Sequence, residues 1–152
     1  MDVPAFDVTS ASEIIISLGD LIVGDSEYRD VQWDAVTLVV TVADSHQHLF
    51  GYFYTNDGGW TPGNPGGMAL LDQVMALRTA TTAPGKRAWK VCRIQLIREE
   101  MQLTVDYEYR SWKRWMVTPA NLETRVEELR PRPGNDSAAE RTRRSWWQRF
   151  TH

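Results

Sequence analysis

Apolar positions along this chain switch repeatedly between a helical and a strand-like period, and the switches divide it into elements. Ile14, Leu18, Leu21 and Ile22 recur three and four apart until Gly24, behind a Ser10/Glu13 capping box, which predicts a helix over 11–23. The stretch 33–43 is rich in β-branched residues, with Val36, Leu38, Val40 and Val42 on one face and Trp33, Ala35, Thr37, Val39 and Thr41 on the other. Both faces are fairly apolar, so an interior strand is predicted. After a turn at Asp44 and Ser45, alternation through His48, Phe50, Tyr52 and Tyr54 predicts a second strand over 46–55, closing a hairpin.

The next twelve residues, NDGGWTPGNPGG, are dominated by turn formers and predict a flexible loop with Trp60 in its middle. Met68, Leu71, Val74 and Met75 then predict a second helix that ends in the polar stretch 79–82, before Pro84 and Gly85. A second hairpin follows: 86–98 is strand-like and Glu99 and Glu100 mark the turn. Beyond it Met101, Leu103, Val105, Tyr107 and Tyr109 alternate with Gln102, Thr104, Asp106, Glu108 and Arg110, which implies a sheet with one wet face. Thr118 and Pro119 then read as N-cap and first-turn proline of a last helix, with Leu122, Val126 and Leu129 on one side. The expected fold is α+β, a four-stranded antiparallel sheet in helix-hairpin-helix-hairpin-helix order with the helices packed on one face. One domain is expected over 1–132 and a mobile Arg/Trp-containing tail over 133–152; removal of residues 135–152 should leave the fold intact.

Composition supports one packed core, since 42% of the 152 residues are hydrophobic and seven are Trp. The acidic N-terminus and the broken apolar stretch 14–23 do not resemble a secretory leader, and no run reaches the roughly 20 apolar residues of a membrane span. The cytoplasm is the expected compartment, with no membrane partner. Charge is uneven: the formal total is -3, yet residues 1–60 hold ten acids against Arg29 alone, a net -9 that leaves +6 for the rest. Such polarity steers encounter with an oppositely charged partner.

Candidate chemistry is sparse. Cys92 lies in an apolar run and reads as a small buried hydrophobe. His46 and His48 stand two apart on a strand, with Asp44 the nearest third ligand, but no metal-binding spacing is present. The glycines at 58–67 lack the Lys-Ser or Lys-Thr of a phosphate loop, and no nucleophile elbow exists. No cofactor, metal or enzymatic activity is therefore expected. Arg87, Lys90, Arg93, Arg110, Lys113 and Arg114 are interleaved with Trp89, Trp112 and Trp115, a composition that binds phosphates and stacks bases. The acidic total argues against a nucleic-acid partner.

The segment 89–129 resembles the C-terminal half of the YezG-like immunity proteins of bacterial polymorphic toxin systems. It has a Trp-led strand, a strand ending in Asp106-Tyr107-Glu108-Tyr109, then Arg114-Trp115 and a Thr-Pro-Ala-Asn-Leu helix start at 118–122. An N-terminal helix, a Trp-containing strand and an aromatic strand precede it in a similar order, so the resemblance covers about 120 residues. It implies a cytoplasmic antitoxin that binds and neutralises a cognate toxin domain, often a nuclease. The alternative is a non-catalytic regulatory or adaptor domain associated with a secretion system. For a basic toxin the expected contacts are Asp25, Glu27, Asp30, Asp44 and Asp57, which would speed association, and Trp60 as a buried anchor.

Overall fold

The β-branched run with two apolar faces becomes the middle of a sheet covered on both sides. The computed structural model describes residues 8–28, 31–43 and 46–132. Its elements run α1 (Val8–Val23), β1 (Ala35–Ala43), β2 (His46–Tyr54), β3 (Trp60–Pro62), α2 (Gly67–Ala80), β4 (Val91–Ile97), β5 (Gln102–Glu108) and α3 (Leu122–Glu128), with a 3-10 turn at Ser26–Tyr28. The sheet order is β3-β2-β1-β4-β5, every neighbouring pair antiparallel. The protein is α+β.

The sheet has five strands where four are expected. The fifth, β3, lies within the Gly/Pro-rich segment and pairs Trp60, Thr61 and Pro62 with Tyr54, Phe53 and Tyr52. Three residues are too few to show a period, and Pro62 is tolerated because β3 is an edge. Gly51 makes the return of the chain possible. The N–H of Gly63 bonds to its carbonyl at 3.0 Å, and a Cβ on Gly51 would stand 2.7 Å from the Thr37 carbonyl oxygen and 2.8 Å from that of Gly63.

One face of the sheet carries the main core. Val36, Leu38 and Val40 of β1, Phe53 of β2, Cys92, Ile94 and Leu96 of β4 and Leu103 and Val105 of β5 pack under Ile15, Leu18 and Ile22 of α1 and Leu70, Val74 and Leu77 of α2. Trp89 is fully buried there; its indole N–H donates to the Thr81 hydroxyl at 3.1 Å, and its ring stacks on Tyr107. α1 begins at Val8, so Ser10 lies inside the helix and not at its cap.

The expectation that all helices share one face is corrected by α3, which packs on the other. Val126 and Leu129 meet Ala35, Val39, Tyr52, Tyr54, Val91 and Trp115. The reason is already present in β1, whose second face offers Ala35 and Val39. Thr118 and Pro119 do not start the helix; Thr118 and Asn121 bond reciprocally, N–H of Thr118 to Asn121 Oδ1 at 2.7 Å and N–H of Asn121 to Thr118 Oγ1 at 3.3 Å. That turn leaves Asn121 as the N-cap.

Polar groups fix α3 in place. The last carbonyls of a helix have no partner within it. Here the Tyr54 hydroxyl donates to the Val126 carbonyl at 2.7 Å, while the Thr37 hydroxyl and the Gln95 amide donate to that of Leu129 at 2.5 and 2.9 Å. Beside them Arg93 pairs with Asp106 at 2.5 Å, under Trp115. Asp106 is only 9% exposed, so the wet face expected of β5 is closed at this position.

Candidate functional site

Topology brings acids from both parts of the chain to one end of the sheet. Ala35 stands beside both Tyr54 and Ile97 in the register, so one end gathers the residues leading into β1, the β2–β3 turn and the β4–β5 turn. The carboxylates there are Asp34, Asp57, Glu99 and Glu100, with Glu127 alongside through Arg130. Asp34, Glu99, Glu100, Asn56 and Arg130 line a cleft of about 340 Å³. Asp25 and Glu27 lie between α1 and β1 in a segment whose bonds run to the β3–α2 connection, from Tyr28 to Asn64 and from Gly66 to Asp25.

Several of these groups also hold the fold. Asp25 accepts the N–H of Glu27 at 2.9 Å and that of Gly66, the N-cap of α2, at 2.7 Å. Asp34 accepts the N–H of Asn56 at 2.7 Å. Asp57 accepts the Thr55 hydroxyl and the N–H of Gly59, and these bonds, the hydroxyl first, hold its carboxyl below the usual range. Arg130 ties the corner together: its guanidinium donates to the Thr55 and Gly58 carbonyls at 3.3 and 3.0 Å and to Glu127, over the Tyr54 ring. The hydrogen bond from Arg130 lowers Glu127, and the same bond raises Arg130.

Of the six expected contact residues, Glu27 is exposed on the 3-10 turn and Asp57 is exposed on the β2–β3 turn. Asp25 is half-buried at the α2 cap. Asp30 and Asp44 lie outside the described residues. Trp60 is on β3 and not in an open loop; half-buried, it meets Tyr52 edge-on at 5.4 Å. That contact ends a ladder of rings on one face, with His48 to Phe50 at 5.9 Å and Phe50 to Tyr52 at 6.0 Å. In the sequence Glu99 and Glu100 mark only a turn. Their signal was a pair of acids in a hairpin turn, meaningful once β4 is known to end beside β1.

The opposite end gathers basic side chains around Glu108, which pairs with Arg114 at 3.1 Å. Lys90 leads into β4 and Arg110 follows β5, with the Lys90 ammonium donating to the Arg110 carbonyl at 3.3 Å. Among the tryptophans of the basic-aromatic run, Trp89 and Trp115 are buried and Trp112 is 46% exposed. His46 and His48 are exposed, and no group of three metal-ligating side chains occurs among the described residues. Cys92 is fully buried, and burial pushes its thiol well up, which keeps it protonated. No helix among the described residues is long and apolar enough to cross a membrane. Comparison with protein-family models and with curated proteins finds no match.

Proposed function

We propose that this protein is an immunity protein that binds a basic toxin domain through the acidic end of its sheet and blocks it by occupying its charged surface. The observation that carries this reading is the convergence of Asp34, Asp57, Glu99 and Glu100 from three separate connections around one end. A nuclease must attract phosphates, so its active surface is basic and a carboxylate-lined end complements it. Trp60 borders this end through its pairing with Tyr54 and supplies apolar contact area beside the charges. Asp25, Asp34 and Asp57 hold loops in shape, whereas Glu27 and Glu99 are exposed and free to meet a partner.

The test is binding kinetics against the toxin domain encoded beside this gene. Neutralising Glu27, Glu99 and Glu100 together is expected to lower the association rate about tenfold or more at low salt and to flatten its salt dependence. Trp60→Ala acts mainly on dissociation. If the triple variant, folded, associates with that toxin as fast as the parent, the acidic end is not the docking surface.

A further inference from the structure

At the basic end, four side chains from different parts of the fold surround one concavity of about 530 Å³: Arg78, Arg87, Lys90 and Trp112, with Val42 and Ala88 as its apolar floor. Arg78 projects from the last turn of α2 and is held there by the bond from its Nε to the Trp89 carbonyl at 2.7 Å. Lys90 is fixed by the Arg110 carbonyl. Arg87 is exposed, and none of the three cations forms an ion pair among the described residues. Trp112 leaves nearly half of its surface open, with the Lys113 ammonium 5.5 Å from its ring.

We infer that this groove binds a phosphate carrying a nucleobase, the phosphate held by Arg78, Arg87 and Lys90 and the base stacked on Trp112. Among the described residues three cations and no acid line the concavity, which suits an anion. An arginine fork and a lysine point charge suit phosphate oxygens, and a half-open indole at the rim suits a flat ring. The volume falls within the range of small-ligand sites and fits a single nucleotide. The acidic total of the chain makes extended nucleic-acid tracking unfavourable, and the Glu108 carboxylate at this end is already engaged by Arg114 and by the Arg110 and Ser111 amides. A free nucleotide and the terminal unit of a single strand present the same chemistry. This site is independent of the acidic end.

The experiment uses the full chain with labelled adenosine triphosphate, a labelled short oligothymidylate and a labelled polyglutamate peptide, read by fluorescence anisotropy at low and moderate salt. Saturable binding of either phosphate ligand is expected, weakened about tenfold or more by Trp112→Ala and by Arg87→Glu, with Trp112→Phe largely retaining it. Binding of the nucleotide assigns the source as a free metabolite, and binding of the oligonucleotide alone assigns it as a strand; both support the site. Circular dichroism checks that the variants fold, and Trp112 and Arg87 are both exposed, so each substitution leaves the core untouched. Absence of binding to both phosphate ligands overturns the inference. So does polyglutamate binding as tightly as they do, or phosphate binding indifferent to Trp112→Ala.

Discussion

On one face of the sheet α1 and α2 cover Val36, Leu38 and Val40 with largely apolar side chains; on the other, the seven residues of α3 are held by hydrogen bonds from Thr37, Tyr54 and Gln95. The first arrangement is strong because apolar burial grows with area and needs no special geometry. The second is specific. A helix of two turns has little stability of its own, and its carbonyls find donors in one position only. The first face therefore sets whether the chain folds, and the second sets where the segment after Trp115 lies.

Removing a large side chain from the first face should have the largest effect. Trp89→Ala empties a fully buried site, loses the bond to Thr81 and the stack on Tyr107, and should destabilise the fold by roughly 3–5 kcal/mol. Chemical denaturation followed by far-UV circular dichroism checks it; a loss under about 1 kcal/mol would mean that the first face tolerates a cavity and does not dominate stability.

Adding a methyl tests the same face in the opposite sense. Gly51→Ala drives its Cβ toward two backbone carbonyl oxygens, neither of which can swing away as a side chain would. A loss of about 1–3 kcal/mol is expected, with β3 displaced from β2. Unchanged thermal stability together with unchanged amide protection at Gly63 would show that the chain passes Gly51 less closely.

On the second face the expected loss is smaller and local. Tyr54→Phe keeps the ring and leaves the Val126 carbonyl without its donor, which should destabilise by about 1–2 kcal/mol. Hydrogen exchange should quicken at Arg125 and Leu129, whose amides close the turns of α3, and stay unchanged in α1 and α2. Equal acceleration on both faces would show that they unfold as one unit and would dissolve the distinction.

Much of the first face was legible in the sequence, because α1, β1, β2, α2, β4 and β5 are long enough to show their periods. The second face was not. The alternation of β5 suggested a wet side at Asp106, since no local pattern announces that Arg93 on the neighbouring strand will neutralise it under Trp115. Trp60 read as a loop residue because β3 is three residues long and lies among glycines and prolines. Of the acids at the candidate end, Asp57 is among those expected from the charge count, but the count cannot separate acids that bind backbone, as Asp25 does, from acids left free. Glu99 and Glu100 were missed because their grouping with Asp34 depends on β4 pairing with β1 across more than fifty residues.

The smallest effect concerns the corner where the two comparisons meet, the Glu127–Arg130 pair beside the last turn of α3. Arg130 holds the Glu127 carboxyl below its usual range in the folded protein. A carboxylate with a depressed folded pKa contributes stability that is present above its unfolded value, about 4.3, and is lost as pH falls through the lower folded value. Glu127→Gln should therefore differ from the parent at neutral pH and converge on it in acid. Glu127 is exposed, so screening reduces the difference to roughly a few tenths of a kcal/mol at moderate salt. Thermal melts of both proteins across the acid limb provide the measurement. A gap that persists at the lowest pH would mean that Glu127 acts by packing and not by charge, whereas closure of the gap would show that the contact holding Arg130 over Tyr54 has an electrostatic component.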